Sequence, residues 1–286
     1  MDLGQAWGVV TDACDALGRF INGPFMAALL SALAGAFAGV IGAQKLALRE
    51  ARKAELAQDF RHSSAAITLA FTLCNNVLAA KKQYINPLTE KYESDRSAAL
   101  DGIEKASRGE GPINLHFQAL LTKFPVSEFP TDAIKDLVYG KSHLNGRGLA
   151  LIAMLELSVA EFREALATRN ALIDEFAQAG REESEFHKRY FGLKDGRGHT
   201  HHLFPDVVDA VHSYSNDVAF FSALLTEDLI EHCEKLSKKL KKDFRHKTPK
   251  VTTVDFSGAR SAGLIPPPSD YESWLSGFAQ HPESAP

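Results

Sequence analysis

Apolar side chains along this chain recur at steps of three and four. Leu56, Phe60, Ile67, Phe71, Cys74 and Leu78 form one stripe. A second keeps heptad spacing at Ile152, Leu155, Val159, Phe162, Leu166, Ile173 and Phe176. A third runs from Val207 through Val211, Tyr214, Val218, Phe221, Leu225, Leu229, Cys233 and Leu236 to Leu240. Such spacing lines one face of a helix. Only Lys250–Phe256 reads as strand-like, and it fits an extended segment lying on helices. The pattern therefore predicts an all-α fold. Three long helices pack as an antiparallel bundle, with shorter helices laid across it.

Punctuation supplies the boundaries. Asn86-Pro87 reads as a helix start, with Asn as cap and Pro in the first turn, leading to a polar helix that ends near Arg108. Residues 113–147 are broken by Pro125, Pro130, Gly140 and Asn145-Gly146, leaving room for a short helix from Thr131 or Asp132 to about Tyr139. Arg181–Tyr190 is a short charged helix. Pro266-Pro267-Pro268 is a stiff spacer before a mostly irregular tail. Ser269 and Glu272 have the spacing of a capping box, and Tyr271, Trp274, Leu275 and Phe278 make the following turns amphipathic. This tail helix is expected to dock on its own bundle, or else in the groove of a protein partner.

One stretch differs from the stripes. Pro24 to Ala43 carries no charge on any face. A helix of that length rises about 30 Å, the thickness of a bilayer's hydrocarbon layer. Lys45, Arg49, Arg52 and Lys53 follow at once, while Asp2, Asp12 and Asp15 outnumber Arg19 before it. The excess of basic residues predicts a single-pass span with the N-terminus outside and the bulk of the chain cytoplasmic. Residues 1–23 then form an outer or interfacial amphipathic segment, 24–43 the span, 44–248 a cytoplasmic helical bundle, and 249–286 the tail. A cleaved signal peptide fits less well, because no basic n-region precedes the apolar run. The soluble alternative places the same segment in the core of a helical oligomer. Ser63–Ala80 is also uncharged, but Asn75 and Asn76 favour a core helix over a second span. Within the span, Ala27, Ser31, Gly35, Gly39 and Ala43 recur every four residues. Such a face lets two backbones approach, so a homo-oligomer is expected through it.

Composition narrows the picture little. The chain has 286 residues, 45% of them hydrophobic and 24% charged, and a net charge of −4, which gives no global field for nucleic acid. Its three cysteines, Cys14, Cys74 and Cys233, form no C-x-x-C pair, and the last two sit in apolar stripes as buried thiols.

Candidate chemistry is sparse. His199, His201 and His202 crowd one loop and are the candidate metal ligands, though no Cys or Glu motif accompanies them. Asp59 with His62 and Asp209 with His212 have the spacing of helical carboxylate–imidazole pairs, set beside the apolar stripes. Arg169 stands where the second heptad calls for an apolar side chain. It is expected to reach solvent, to pair with an acid, or to fix register. Lys235, Lys238, Lys239, Lys241, Lys242, Arg245 and Lys247 form a basic run suited to anionic lipid or, less readily, nucleic acid. No glycine-rich phosphate loop or nucleophile motif is present, and no cofactor is expected. The sequence thus points to a membrane-anchored helical protein that works by interaction as a sensor, scaffold or effector. The alternative is a metal-dependent or hydrolytic enzyme on the same bundle.

Overall fold

The computed structural model describes residues 24–109, 117–126, 128–144, 146–178, 183–194 and 198–278. The N-terminal amphipathic segment and Cys14 lie outside them. The described residues are all-α, with no strand and a single antiparallel bridge between Lys194 and Thr200. The helices are α1 (Pro24–Ala80), α2 (Asn86–Ser107), α3 (Thr131–Lys141), α4 (Arg147–Gln178), α5 (Glu183–Phe191), α6 (Leu203–Phe244), α7 (Ser257–Ser261) and α8 (Glu272–Ser276). The chain divides into two compact units, Met1–Leu56 and Ala57–Pro286.

In the first unit, the described part of α1 presents large apolar side chains outward: Leu29, Leu33, Phe37, Val40, Ile41, Leu46 and Leu48 are all exposed. The helix from Ser31 onward is long and apolar enough to cross a membrane by length and composition, with 44% of the qualifying stretch buried in the protein; residues 31–50 are all exposed, so that burial lies further along the helix, in the second unit. Length and composition alone therefore do not separate an anchor from a core helix.

The second unit is the bundle. Its core is built from Ile67, Leu73, Cys74 and Val77 of α1, Leu151, Leu155 and Phe162 of α4, and Val208, Val218, Leu225 and Leu229 of α6. Ser63–Ala80 belongs here: its inner face is buried, and Asn75 and Asn76 point outward. The Cys233 thiol faces the Phe60 carbonyl and the Cys74 thiol faces that of Ala219, so α1 and α6 run antiparallel. Arg147 bonds Asp228 while Phe176 packs on Phe204, so α4 and α6 are antiparallel too. All three expected stripes face this core, except that Phe71 sits at its rim, against Phe256, and Tyr214 is only half-buried. Burial pushes the Cys74 and Cys233 thiols up to about 11, so both are protonated, inert side chains at neutral pH.

The break expected at Asn86-Pro87 does not occur. The chain passes from α1 into α2 through a π-helical turn, Lys81–Ile85, in which the Asn86 amide reaches back five residues to the Lys81 carbonyl. Proline has no N–H and its ring crowds the preceding turn. Widening the helix by one residue accommodates both, so the helix continues. Asn86 is not a cap, and its side-chain oxygen has no protein partner. The Ser269–Glu272 box also fails to form. A 3-10 turn, Pro268–Tyr271, precedes α8 instead, and Ser269 bonds Asp270.

The far end of the bundle accounts for much of the Phe content. Tyr92, Phe117, Phe176, Phe186, Tyr190, Phe191 and Phe204 stack edge-to-face and offset over α2, α4, α5 and the start of α6. The Tyr92 hydroxyl donates to the Tyr190 carbonyl at 2.9 Å, and the Tyr190 hydroxyl accepts from the Leu120 amide. Each buried phenol thus keeps a hydrogen bond.

Candidate functional site

The most developed polar site lies in the second unit, around a carboxylate that the sequence pattern placed beside the stripe. Asp59 is in fact 2% exposed. Leu56, Asp59, Ser63, Ala66, Ala70, Leu73 and Val77 follow strict three-four steps, and Asp59 and Ser63 occupy core positions of that heptad. The sequence partner His62 turns away, with its Nδ1 on the Lys141 carbonyl. Asp59 binds His143 and His232 instead, with Nδ1 of one and Nε2 of the other at 3.2 Å. It also accepts from the His143 amide at 3.3 Å and from the Ser63 hydroxyl at 3.2 Å. Ser63 in turn meets Ser142 at 3.0 Å.

One turn of α1 thus clamps residues 141–143 at the end of α3, and through them the start of α4. Gly146 opens α4 with φ 60° and its carbonyl accepts the Leu149 and Ala150 amides. A side chain there would be strained, which explains the glycine.

Burial pushes the Asp59 carboxyl up. The hydrogen bond and charge of His232, with bonds from His143 and Ser142, outweigh this and hold it down at about 2. An ionised carboxylate only accepts, so both imidazole nitrogens that touch it carry hydrogen. That places a hydrogen on Nδ1 of His143 and on Nε2 of His232. His143 and His232 then form one wall of a cleft of about 650 Å³. Arg147 and Asp228, the latter one turn before His232 on α6, also line it, joined by two hydrogen bonds, the Nε bond at 3.0 Å. Asp228 raises the Arg147 guanidinium further above its ordinary range. Glu231, Lys235 and Phe278 complete the rim. The cleft offers paired charges and two oriented imidazoles, a polar surface of the kind that orients a small ligand.

Neither His143 nor His232 was singled out by sequence. His232 adjoins Cys233 at the edge of a stripe, and His143 sits in a loop. The legible signal was Asp59, a carboxylate on a heptad position, which needs buried donors.

A second buried polar group, Lys81, lies four residues after Val77, one position past the heptad, where the π-helical turn begins. It is 0% exposed and donates to the Asn216 side chain and the Leu264 carbonyl. Burial lowers its ammonium to about 8. Arg169 is also 0% exposed. It neither reaches solvent nor pairs with an acid. Its guanidinium donates to the Leu120 and Thr122 carbonyls at 2.9 Å and lies 4.4 Å from the centre of the Phe124 ring. Asn170 pairs with both backbone groups of Phe124. Together they hold the extended segment before α3 on α4.

The other expected sites are placed as follows. His199, His201 and His202 are exposed on the loop before α6, and among the described residues no group of three His, Cys, Asp or Glu can hold a metal ion. His212 is half-buried with Nδ1 lacking a protein partner, and burial and the nearby Lys81 lower its imidazole, while Asp209 is exposed. Ser31, Gly35, Gly39 and Ala43 are exposed, with open space beside Gly35 and Gly39; the Ala27 side chain lies outside the described residues. Lys235, Lys238, Lys239, Lys241, Lys242, Arg245 and Lys247 are exposed at the end of α6 and just beyond it. Tyr271, Trp274 and Phe278 lie on the chain's own bundle. Tyr271 stacks on Phe220 with ring centres 3.8 Å apart and donates to Asp217 at 2.6 Å. Trp274 packs on Phe221, and Phe278 on Trp274.

The chain matches no protein-family model, no curated protein and no solved structure, so the reading rests on its own geometry.

Proposed function

We propose that this chain is a membrane-anchored helical protein that acts by binding. The early part of α1 is its single span, and the bundle beyond Ala57 presents the Asp59–His143–His232 cleft to a small polar ligand on the cytoplasmic side. One observation carries the anchor. Leu29, Leu33, Phe37, Val40, Ile41, Leu46 and Leu48 are exposed along one continuous helix, whereas Ile67, Leu73 and Val77 further along it are fully enclosed. Contiguous apolar surface of this extent is rare on a free soluble chain. A bilayer covers it on all sides of the helix, as the absence of a polar face requires. The basic residues Lys45, Arg49, Arg52 and Lys53 set the orientation.

The test is flotation of the full chain with lipid vesicles after an alkaline carbonate wash. The chain is expected to float, and a variant lacking residues 24–43 to remain in the dense fraction. A full-length chain that stays soluble without detergent contradicts the anchor.

A further inference from the structure

We infer that the basic end of α6 is a contact surface for anionic lipid headgroups, a reading that rests on the membrane anchor proposed above. The inference comes from register. α6 runs antiparallel to α1, with the Cys233 thiol at the Phe60 carbonyl and His232 at Asp59. Near Leu236, α6 therefore reaches the level of Ala57, where the chain enters the bundle. That is the end of the bundle where the chain arrives from the apolar segment. Lys238, Lys239, Lys241, Lys242, Arg245 and Lys247 all stand exposed there.

Few acidic residues lie within the cluster itself. Lys235 and Lys238 meet Glu231 and Glu234 one turn back, in ion pairs with most of their side chains in water. Such exposed pairs contribute little and exchange readily for other anions. Beyond them, Asp243 is the one acid between Lys239 and Lys250. Arg245 closes the helix in a left-handed turn, φ 52°, with its amide on the Lys241 carbonyl. Beyond the turn the chain folds back along α6, with Thr248 meeting Ser237 at 2.6 Å. A cationic cluster at the C-terminus of a 42-residue helix also offsets that helix's own dipole, so its presence costs the fold little.

Anionic lipid is favoured over nucleic acid by position. The cluster stands at the end of the bundle that the chain enters from the proposed anchor, and its attraction to an anionic surface would be screened over about 8 Å at physiological salt. It has no exposed aromatic side chains interleaved for base stacking. The chain as a whole, this cluster included, is net acidic, with 36 Asp and Glu against 32 Lys and Arg.

The experiment uses the full chain reconstituted in vesicles of phosphatidylcholine alone, or of phosphatidylcholine mixed with phosphatidylserine. An amine-acylating reagent is added outside, and modification is read by mass spectrometry at Lys239. Lys105, exposed at the opposite end of the bundle, is the internal control. Labelling of Lys239 is expected to slow about tenfold on the anionic vesicles at low salt and to recover at molar salt, with Lys105 unchanged. The variant K241Q/K242Q/K247Q, checked for an unchanged helical spectrum, should lose most of that protection. Failure of the chain to float with either vesicle sinks the anchor itself. Flotation with equal Lys239 labelling on both vesicles overturns only the lipid contact. Equal labelling accompanied by capture of a single-stranded oligonucleotide also overturns it, and assigns the cluster to nucleic acid.

Discussion

Replacing Asp59 by Ala is expected to destabilise the bundle by about 3–5 kcal/mol, the cost of breaking a buried charged network on one side. His232 loses its acceptor, and so do the His143 amide and the Ser63 hydroxyl. Three elements meet at this carboxylate: α1, α6 and the loop between α3 and α4. Asp59→Asn should recover only part of the loss, because its NH₂ group would face donors.

The same group gives the protein an acid limit. Its carboxyl is held at about 2 in the folded chain, against an ordinary value of 3.8. A depressed carboxylate stabilises the fold above its unfolded pKa and loses that contribution as pH falls through the folded one. About 2 kcal/mol should therefore disappear between pH 4 and pH 2. Urea unfolding across that range measures it. Wild type should show the decline and Asp59→Ala a flatter profile; equal slopes would remove Asp59 from its central place.

Replacing Arg169 by Met should cost about 3 kcal/mol and loosen one particular segment. Met fills a similar volume, so the loss reports the two carbonyls left unpaired at Leu120 and Thr122 rather than a cavity. Arg169→Lys should not rescue it. A single ammonium cannot reach both carbonyls while lying flat on the Phe124 ring. Hydrogen exchange gives the specific readout. The Phe124 amide, held by the Asn170 side chain at 3.1 Å, should exchange faster in either variant, while amides in the middle of α6 keep their protection. Uniform acceleration everywhere would mean that Arg169 merely contributes to global stability.

These two residues show where sequence reading reaches its limit. The heptads of α1, α4 and α6 were legible because burial of a helix face repeats locally. Every member of the expected α4 stripe is buried. The polar members of the same heptads were legible as exceptions, as Arg169 was, but their partners were not. Asp59 meets His143 and His232 across 84 and 173 residues of chain, and no local spacing encodes that meeting. Local spacing pointed instead to His62 and placed Asp59 beside the stripe, when the three-four step from Leu56 to Ser63 puts it inside. Proline misled for a related reason. Pro87 signals a missing hydrogen bond, and either a new helix or a π turn satisfies that. Packing of Lys81 and Ile85 into the bundle selects the π turn, and packing is not local information.

The apolar character of α1 is a different matter. Residues 24–48 and 63–80 look alike by length and composition, and only their surroundings distinguish them. A photoreactive probe confined to the bilayer core makes that distinction directly. With the full chain in vesicles, labelled peptides should come from residues 24–43, with Phe37 and Val40 among the modified positions, and none from 63–80. Labelling of 63–80, or of neither stretch, would contradict a single N-terminal anchor feeding a water-exposed bundle.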